Sequence, residues 1–200
     1  MIRNVGVRLA TSAGWRPEPE KTGVLSDSLG GDDARPEARR PADIYIPRWD
    51  LGGAAALDFA VTSGLRTEML DQSAVEGSSC LTHYEHYKNN YLNTAELCAR
   101  NAISFVPMVI EAHSGGWGPT ATKVWSRMGR AIALISGESS AVEALRIRQN
   151  LGLALQRENA RAILCRFPAQ NEAHYRAAAG SLLYAENTHS EEVDGILMEY

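Results

Sequence analysis

This chain of 200 residues has few cysteines and no long apolar run, and each shortage excludes a class of protein. It has three scattered cysteines, an odd number, which argues against a disulfide framework and favours a reducing compartment, the nucleus or the cytoplasm. Its best apolar run, Ile103–Ala112, has the length of a strand and is too short to span a bilayer. The sequence therefore predicts an intracellular protein without a membrane partner.

The net charge of −4 conceals an uneven distribution of charged residues. Residues 51–120 carry three basic and seven acidic side chains, whereas residues 123–166 carry eight basic and three acidic ones. Residues 167–200 are acidic again, with one basic side chain against six acids. An acidic centre beside a basic helical segment is typical of a metal site next to a nucleic-acid surface, and it is equally compatible with solvated faces.

The pattern of glycine, proline and apolar residues predicts three regions. An α/β core covers residues 1–118, with a mobile Gly/Asp/Arg/Pro-rich loop over 26–41. A basic helical extension follows over 119–166, and an acidic, partly disordered tail over 167–200. This order of elements predicts an α/β fold that is a sandwich rather than a doubly wound parallel sheet.

Within these regions the periodicity predicts individual elements. The expected strands are Ala42–Pro47 and Ala54–Ser63, paired as a hairpin, and Ile103–Ala112, in which Pro107 indicates an edge or a bulge. The expected helices are 3–13, 68–101 with a break near Gly77, 119–136, and 139–165 after Gly137.

Each strand of the predicted hairpin carries one carboxylate on the face opposite its larger apolar residues. On the second strand Leu57, Phe59 and Val61 share the expected core face. Asp58 then lies on the other face, between alanines that leave space above it. If Asp43 on the first strand has the matching face, the two carboxylates could surround one hard cation. An acid in a strand also commonly faces solvent, and that alternative stays open for each residue.

Three short motifs in this order resemble a known family. Arg40-Pro41-Ala42-Asp43, the strand ALDFAVT over 56–62 and the helical Lys88-Asn89-Asn90-Tyr91 are similar to the restriction-like, PD-(D/E)XK endonuclease domain of non-LTR retrotransposons and related reverse-transcriptase reading frames. The resemblance covers residues 15–120 and extends loosely to 165. It implies a restriction-endonuclease-like core, a small mixed sheet flanked by helices, with a helical C-terminal extension.

The resemblance also implies an activity, the metal-dependent endonucleolytic cleavage of DNA. Asp43 and Asp58 would bind Mg²⁺ or Mn²⁺, and Glu20 matches an early acid of the family that is either a metal ligand or a surface charge. The general motif has a lysine two residues after the second acid, a position that Ala60 occupies here. The lysine must therefore come from elsewhere in the chain.

Lys88 is the candidate among the three lysines of the chain. Tyr84, Lys88 and Tyr91 lie at helical spacing on one face, so Lys88 reaches the catalytic water if that face turns toward the sheet. If the face turns to solvent, Lys88 is an ordinary surface residue.

The basic helix after the Gly-rich loop provides a candidate DNA-binding surface. Lys123, Arg127 and Arg130 fall on one helix face, where they could contact backbone phosphates, although a solvated face explains them equally well. Zinc is a weaker alternative, because Cys80, His83 and His86 follow one another at intervals of three along a helix and do not converge tetrahedrally.

Two other functions remain open at this point. The first is a catalytically silent nucleic-acid-binding remnant of the same fold. The second is an interaction protein that forms a homodimer through its Ala/Leu-rich helices, residues 141–165. Convergence of Asp43, Asp58 and Lys88 would favour the enzyme, and an exposed apolar stripe on the last helices would favour the interaction protein.

Overall fold

A computed structural model describes residues 2–23, 25, 42–50 and 53–166 of the chain. The chain divides into two compact units, Met1–Ala154 and Leu155–Tyr200. The second unit is described over residues 155–166, which continue the last helix to Leu164. The predicted loop 26–41, with the Arg40-Pro41 part of the motif, and the predicted tail 167–200 lie outside the described residues.

The described elements alternate between helices and strands. In chain order they are α1 (Ile2–Ser12), β1 (Glu18–Pro19), β2 (Ile44–Asp50), β3 (Gly53–Thr62), α2 (Leu70–Val75), α3 (Ser79–Asn90), α4 (Thr94–Arg100), β4 (Ile103–Glu111), α5 (Pro119–Ser136) and α6 (Ser140–Leu164). Short 3₁₀ turns precede α2, over Thr67–Met69, and α4, over Tyr91–Asn93. No helix among the described residues is both long and apolar enough to cross a membrane.

The four strands form one mixed sheet in the order β1-β2-β3-β4. Strands β1, β2 and β3 are antiparallel neighbours, and β4 is parallel to β3 because α2, α3 and α4 return the chain to the starting end of the sheet. The hairpin of β2 and β3 was predicted from the sequence. Strand β4 ends the order of strands, which agrees with the edge position that Pro107 predicts.

One face of the sheet packs against α1 and α5. A Cβ added to Gly6 of α1 would lie 2.9 Å from the Phe59 ring and 3.1 Å from the Ile44 side chain, so this close approach requires glycine. The Phe59 ring also contacts Trp125 of α5, with 6.1 Å between ring centroids. Phe59 and Leu57 therefore face this helical layer, as their alternation along β3 predicts.

The opposite face of the sheet is covered as well, which corrects one expectation. Ala56 packs in a buried cluster with Cys98 of α4, and Ala60 packs against Cys80 and Leu81 of α3. The alanines beside Asp58 thus accommodate helices rather than open space. Val61, expected in the core, is 52% exposed, so the helical cover on its face of β3 ends before Val61, whereas Thr62 on the opposite face is buried.

Local sequence signals predict the bounds of α5 correctly but not the end of α3. Helix α5 starts at Pro119 and stops before Gly137, whose φ of +77° is a left-handed conformation that favours glycine. The predicted continuation of α3 through Tyr91 is wrong, since the helix ends at Asn90 and Leu92 and Asn93 have positive φ.

Candidate active site

The register of β2 and β3 brings Asp43 and Asp58 together. The ladder pairs Ile44 with Leu57 and Tyr45 with Ala56, so one step further Asp43 lies opposite Asp58. Directly opposed residues of antiparallel strands share a face. Asp43 itself precedes the first residue of β2, whereas the sequence predicted it inside the strand.

The Asp43 carboxylate is fixed by the backbone of the neighbouring strand. Its Oδ2 accepts a hydrogen bond of 2.8 Å from the N–H of Phe59, the residue after Asp58. On the other side the carbonyl oxygen of Asp43 accepts a bond of 2.9 Å from the N–H of Glu20. Asp43 therefore connects the start of β2 to β3 on one side and to the residue after β1 on the other.

Lys88 reaches the same place from helix α3. Its Nζ donates to Asp58 Oδ2 at 2.6 Å, and both side chains are about one fifth exposed, 21% for Lys88 and 20% for Asp58. The helix face with Tyr84 and Lys88 thus turns toward the sheet, which is the first of the two orientations considered from sequence. Tyr84 also packs against the α3 side of the sheet core.

The electrostatics of Asp58 reflect this crowded position. Burial raises the pKa of Asp58 above its usual value, the Lys88 ammonium opposes that rise, and the nearby Asp43 carboxylate adds to it. Cys98 of α4 is close enough that burial and the Asp58 carboxylate raise the pKa of its thiol to about 11. The thiol is therefore protonated at neutral pH and is a poor metal ligand.

Glu20 is near the pair through its backbone, and its side chain has another partner. The Glu20 carboxylate pairs with the Arg3 guanidinium of α1, the helix on the opposite side of the sheet. Its φ of +50° is a left-handed conformation that is uncommon for a residue with a side chain. The structure thus places Glu20 beside Asp43 but gives its carboxylate an ion pair with Arg3.

The three basic residues predicted to bind DNA have different surroundings. Lys123 and Arg130 are exposed on α5. The Arg127 guanidinium lies 4.4 Å from the ring centroid of Trp49 and donates to the Trp49 carbonyl oxygen. Arg127 therefore supports the protein's own structure, and this contact had no sequence signal because 78 residues separate the partners.

Two of the three other buried carboxylates of the described residues, Glu85 and Glu111, were not predicted as functional, and both have structural roles. Glu85 of α3 accepts bonds from the N–H and the hydroxyl of Thr120, at 3.0 and 2.8 Å, and so caps the start of α5. Although burial acts to raise it, the pKa of Glu111 is held below its usual value by the N–H groups of Ser114 and His113. These bonds stabilise the turn after β4.

The chemistry of the donors can be compared with that of a metal site. Among residues 2–23, 25, 42–50 and 53–166 no group of three or more His, Cys, Asp or Glu side chains is placed to hold an ion. Asp43 and Asp58 are two carboxylates, and within this part of the chain Oδ1 of each has no hydrogen-bond partner. Mg²⁺ is commonly bound by one or two carboxylates, with water and substrate phosphate as the other ligands. The pair fits such a cation better than it fits zinc.

Comparison with known proteins adds no constraint to this geometry. No protein-family model matches the chain, and no curated protein matches its sequence.

Proposed function

We propose that this chain is a metal-dependent endonuclease that hydrolyses DNA phosphodiester bonds, with Asp43, Asp58 and Lys88 as its active site. The observation that carries the proposal is the convergence of two carboxylates from neighbouring strands with a lysine from a helix, Lys88 Nζ being 2.6 Å from Asp58 Oδ2. These residues are 15, 30 and 45 positions apart along the chain. The order of helix, three antiparallel strands, helices and a parallel strand also supports a restriction-endonuclease-like identity for the fold.

Each residue has a distinct role in this proposal. Asp43 and Asp58 would hold Mg²⁺ or Mn²⁺ through their Oδ1 atoms. The bound ion supplies Lewis-acid activation of water and neutralises phosphate charge. The Lys88 ammonium, which already bonds Asp58, is positioned to donate to an oxygen that gains negative charge in the transition state. The Phe59 N–H keeps the Asp43 carboxylate oriented toward Asp58.

The experiment is nicking of supercoiled plasmid by the whole chain, with Mg²⁺, with Mn²⁺ and with EDTA. Asp58→Asn and Asp43→Asn keep side-chain size but remove the charge that a hard cation needs, so each should lower nicking about 100-fold or more. Asp71→Asn, a change of an exposed acid on α2, is the matched control and should nick like wild type.

Calorimetric titration with Mn²⁺ separates the roles of the three residues. Both Asp variants should lose Mn²⁺ binding, whereas Lys88→Met should retain it and still nick about 100-fold more slowly. Wild-type Mn²⁺ binding in both Asp variants would refute the metal site. Absence of nicking by a wild-type chain that binds DNA would instead identify the silent nucleic-acid-binding protein.

A second candidate, a homodimer formed through the C-terminal helices, has one observation in its favour. Large apolar side chains are exposed at the end of α5 and along α6: Leu134 at 87%, Ile135 at 65%, Leu145 at 55% and Leu153 at 58%. Light scattering after size exclusion tests this candidate. A dimer that Leu134→Glu with Leu145→Glu converts to a monomer supports it, and a wild-type monomer at 100 µM or so, where weak dimers still form, excludes it.

A further inference from the structure

A cleft of about 660 Å³ lies between the segment that follows α1 and the second half of β2. It is distinct from the Asp43–Asp58 pair. Its main lining residues are Trp15, Arg16, Pro17, Glu18, Pro47 and Arg48.

Two arginines and one glutamate line the cleft, so basic side chains outnumber acidic ones there. Among the described residues neither Arg16 nor Arg48 has an ion pair or a side-chain hydrogen bond. The carboxylate of Glu18, the acid in the lining, is paired with Lys21 at 2.8 Å. An anionic ligand would therefore meet two guanidinium groups that no carboxylate in the described part of the chain neutralises.

The described basic side chains that lack acidic partners lie on one side of the first unit. On the other side, the cations of α3, of α4 and of the turn before α2 are all paired, namely Lys88 with Asp58, Arg100 with Glu96 and Arg66 with Glu68. Helices α1 and α5 contain no acidic residue at all. From residue 2 to 136, the described Lys and Arg side chains without a carboxylate or carbonyl partner are Arg8, Arg16, Arg48, Lys123 and Arg130. A polyanion is therefore attracted to the α1 and α5 side.

The wall of the cleft also contains a rigidly held aromatic ring. Trp15 is partly exposed, and its ring meets the Trp49 ring edge to face, with centroids 5.0 Å apart. The Arg127 guanidinium lies 5.7 Å from the Trp15 centroid and 4.4 Å from the Trp49 centroid. Next to this ring Arg16 has a φ of +43°, which is uncommon for a residue with a side chain. A partly exposed ring in the same cleft as Arg16 and Arg48 is the combination that binds unpaired bases by stacking and their phosphates by charge.

We propose that this cleft binds an unpaired DNA strand, with Arg16 and Arg48 on its phosphates and Trp15 stacked on a base. A duplex would present only its phosphates to the cleft, because its bases are already stacked and paired. An unpaired strand satisfies both the cations and the ring.

Combined with the proposed function, on which this step rests, the cleft defines a substrate class. Arg48 follows Asp43 by five residues along β2, which corresponds to roughly 16 Å at about 3.3 Å per residue. A strand that is stacked with a rise of about 3.4 Å per nucleotide covers this distance in about five nucleotides, and a more extended strand covers it in fewer. The preferred substrate is therefore a DNA duplex that carries a single-stranded arm of several nucleotides.

Fluorescence anisotropy with a labelled 12-residue oligo(dT), in EDTA, measures cleft binding without cleavage. The double variant Arg16→Ala with Arg48→Ala should bind about 10-fold or more weakly, and its log–log salt slope should fall by about 1.4, for two lost phosphate contacts. The matched control, Arg66→Ala with Arg100→Ala, removes two cations that are each paired with a glutamate outside the cleft, and it should bind within twofold of wild type.

The ring has its own pair of variants. Trp15→Leu should weaken oligo(dT) binding roughly 5- to 100-fold while leaving the salt slope unchanged, since stacking releases no counterions. Trp15→Phe keeps a ring and should bind within about threefold, and it serves as the folded comparison if the leucine variant is unstable. Equal losses in the cleft and control arginine pairs, or wild-type binding by a folded Trp15→Leu, would overturn the proposal.

The outcomes for the cleft and for the nuclease are distinguishable. Nicking should be faster on duplexes with an 8-nucleotide arm than on those with a 2-nucleotide arm, and the cleft variants should abolish that preference. If the wild-type chain cuts no DNA but its binding of oligo(dT) depends on the cleft residues, the cleft proposal is supported and the proposed nuclease function is refuted. If the wild-type chain cuts DNA and its cleft variants bind oligo(dT) as tightly as wild type, the nuclease function is supported and the cleft proposal is refuted.

Discussion

Removal of the Lys88 charge is the perturbation that most directly tests the geometry of the candidate site. Lys88→Met keeps the length and the apolar stem of the side chain but leaves the Asp58 carboxylate beside Asp43 without its ammonium partner. Losing one partner of a fully buried pair costs about 3–5 kcal/mol, and exposed pairs are worth about 0–1 kcal/mol. Because both side chains are about one fifth exposed, 21% and 20%, solvent screens part of the loss. We expect a cost of about 2 kcal/mol at pH 7.

The complementary variant behaves differently. Asp58→Asn removes a carboxylate whose ionisation burial disfavours, so its cost should stay below about 1 kcal/mol. In the double variant Lys88→Met causes little further loss, which gives a coupling of about 1–2 kcal/mol in the double-mutant cycle.

The cost should also depend on pH with a defined sign. The folded pKa of Asp58 lies above its unfolded value of about 3.8, so its contribution to stability is complete below that value and is lost as pH rises through the folded pKa. In Lys88→Met the folded pKa rises further. The penalty of Lys88→Met should therefore be small near pH 4 and grow toward pH 7.

Urea unfolding in EDTA, followed by tryptophan fluorescence and extrapolated linearly, measures these free energies. Lys123→Met, a change of an exposed lysine on α5, is the matched control and should stay within about 0.5 kcal/mol of wild type. A Lys88→Met variant as stable as wild type from pH 4 to pH 7 would show that the ion pair is absent and that Lys88 is not positioned for catalysis.

Three further predictions concern the framework of the site, and urea unfolding checks each. In Gly118→Ala the added Cβ would collide with Glu85 Oε1, so Glu85 must give up its hydrogen bonds to Thr120, which should lower the free energy of unfolding by about 2 kcal/mol. As a comparison, a Cβ added in Gly152→Ala has nothing within 4 Å and should stabilise α6 by up to about 1 kcal/mol. Phe59→Ala opens a cavity against Trp117 and Trp125 and should cost about 3 kcal/mol. Val61→Ala, on the same face but with a 52% exposed side chain, should cost less than about 0.5 kcal/mol, and equal costs would contradict the packing of Phe59 against α5. Because the folded pKa of Glu111 is lowered, the ionised side chain stabilises the fold above its unfolded pKa of about 4.5, and this contribution is lost as pH falls through the folded pKa. Glu111→Gln should therefore be about 2 kcal/mol less stable than wild type at pH 7 and as stable as wild type in acid.

Local chemistry was enough to predict most of the secondary structure. Helix α5 was expected over 119–136 and runs from Pro119 to Ser136, because proline at its start and a left-handed glycine after its end are signals contained in a few adjacent residues. Strand β4 and the hairpin of β2 and β3 followed from β-branched runs and alternation in the same way. Alternation also implied that Asp58 lies opposite the Phe59 face.

The way in which those elements pack against one another was determined only by the tertiary structure. Only the register of β2 against β3 places Asp43 opposite Asp58, and only the packing of α3 on that face brings Lys88 Nζ to within 2.6 Å of Asp58. Both depend on residues 15 to 45 positions apart, for which the sequence carries no local signal. The same reason explains why the contact of Arg127, a predicted DNA-binding residue, with Trp49 could not be predicted from the sequence. A helix face can be read from periodicity, but the group it meets is determined by how distant segments pack.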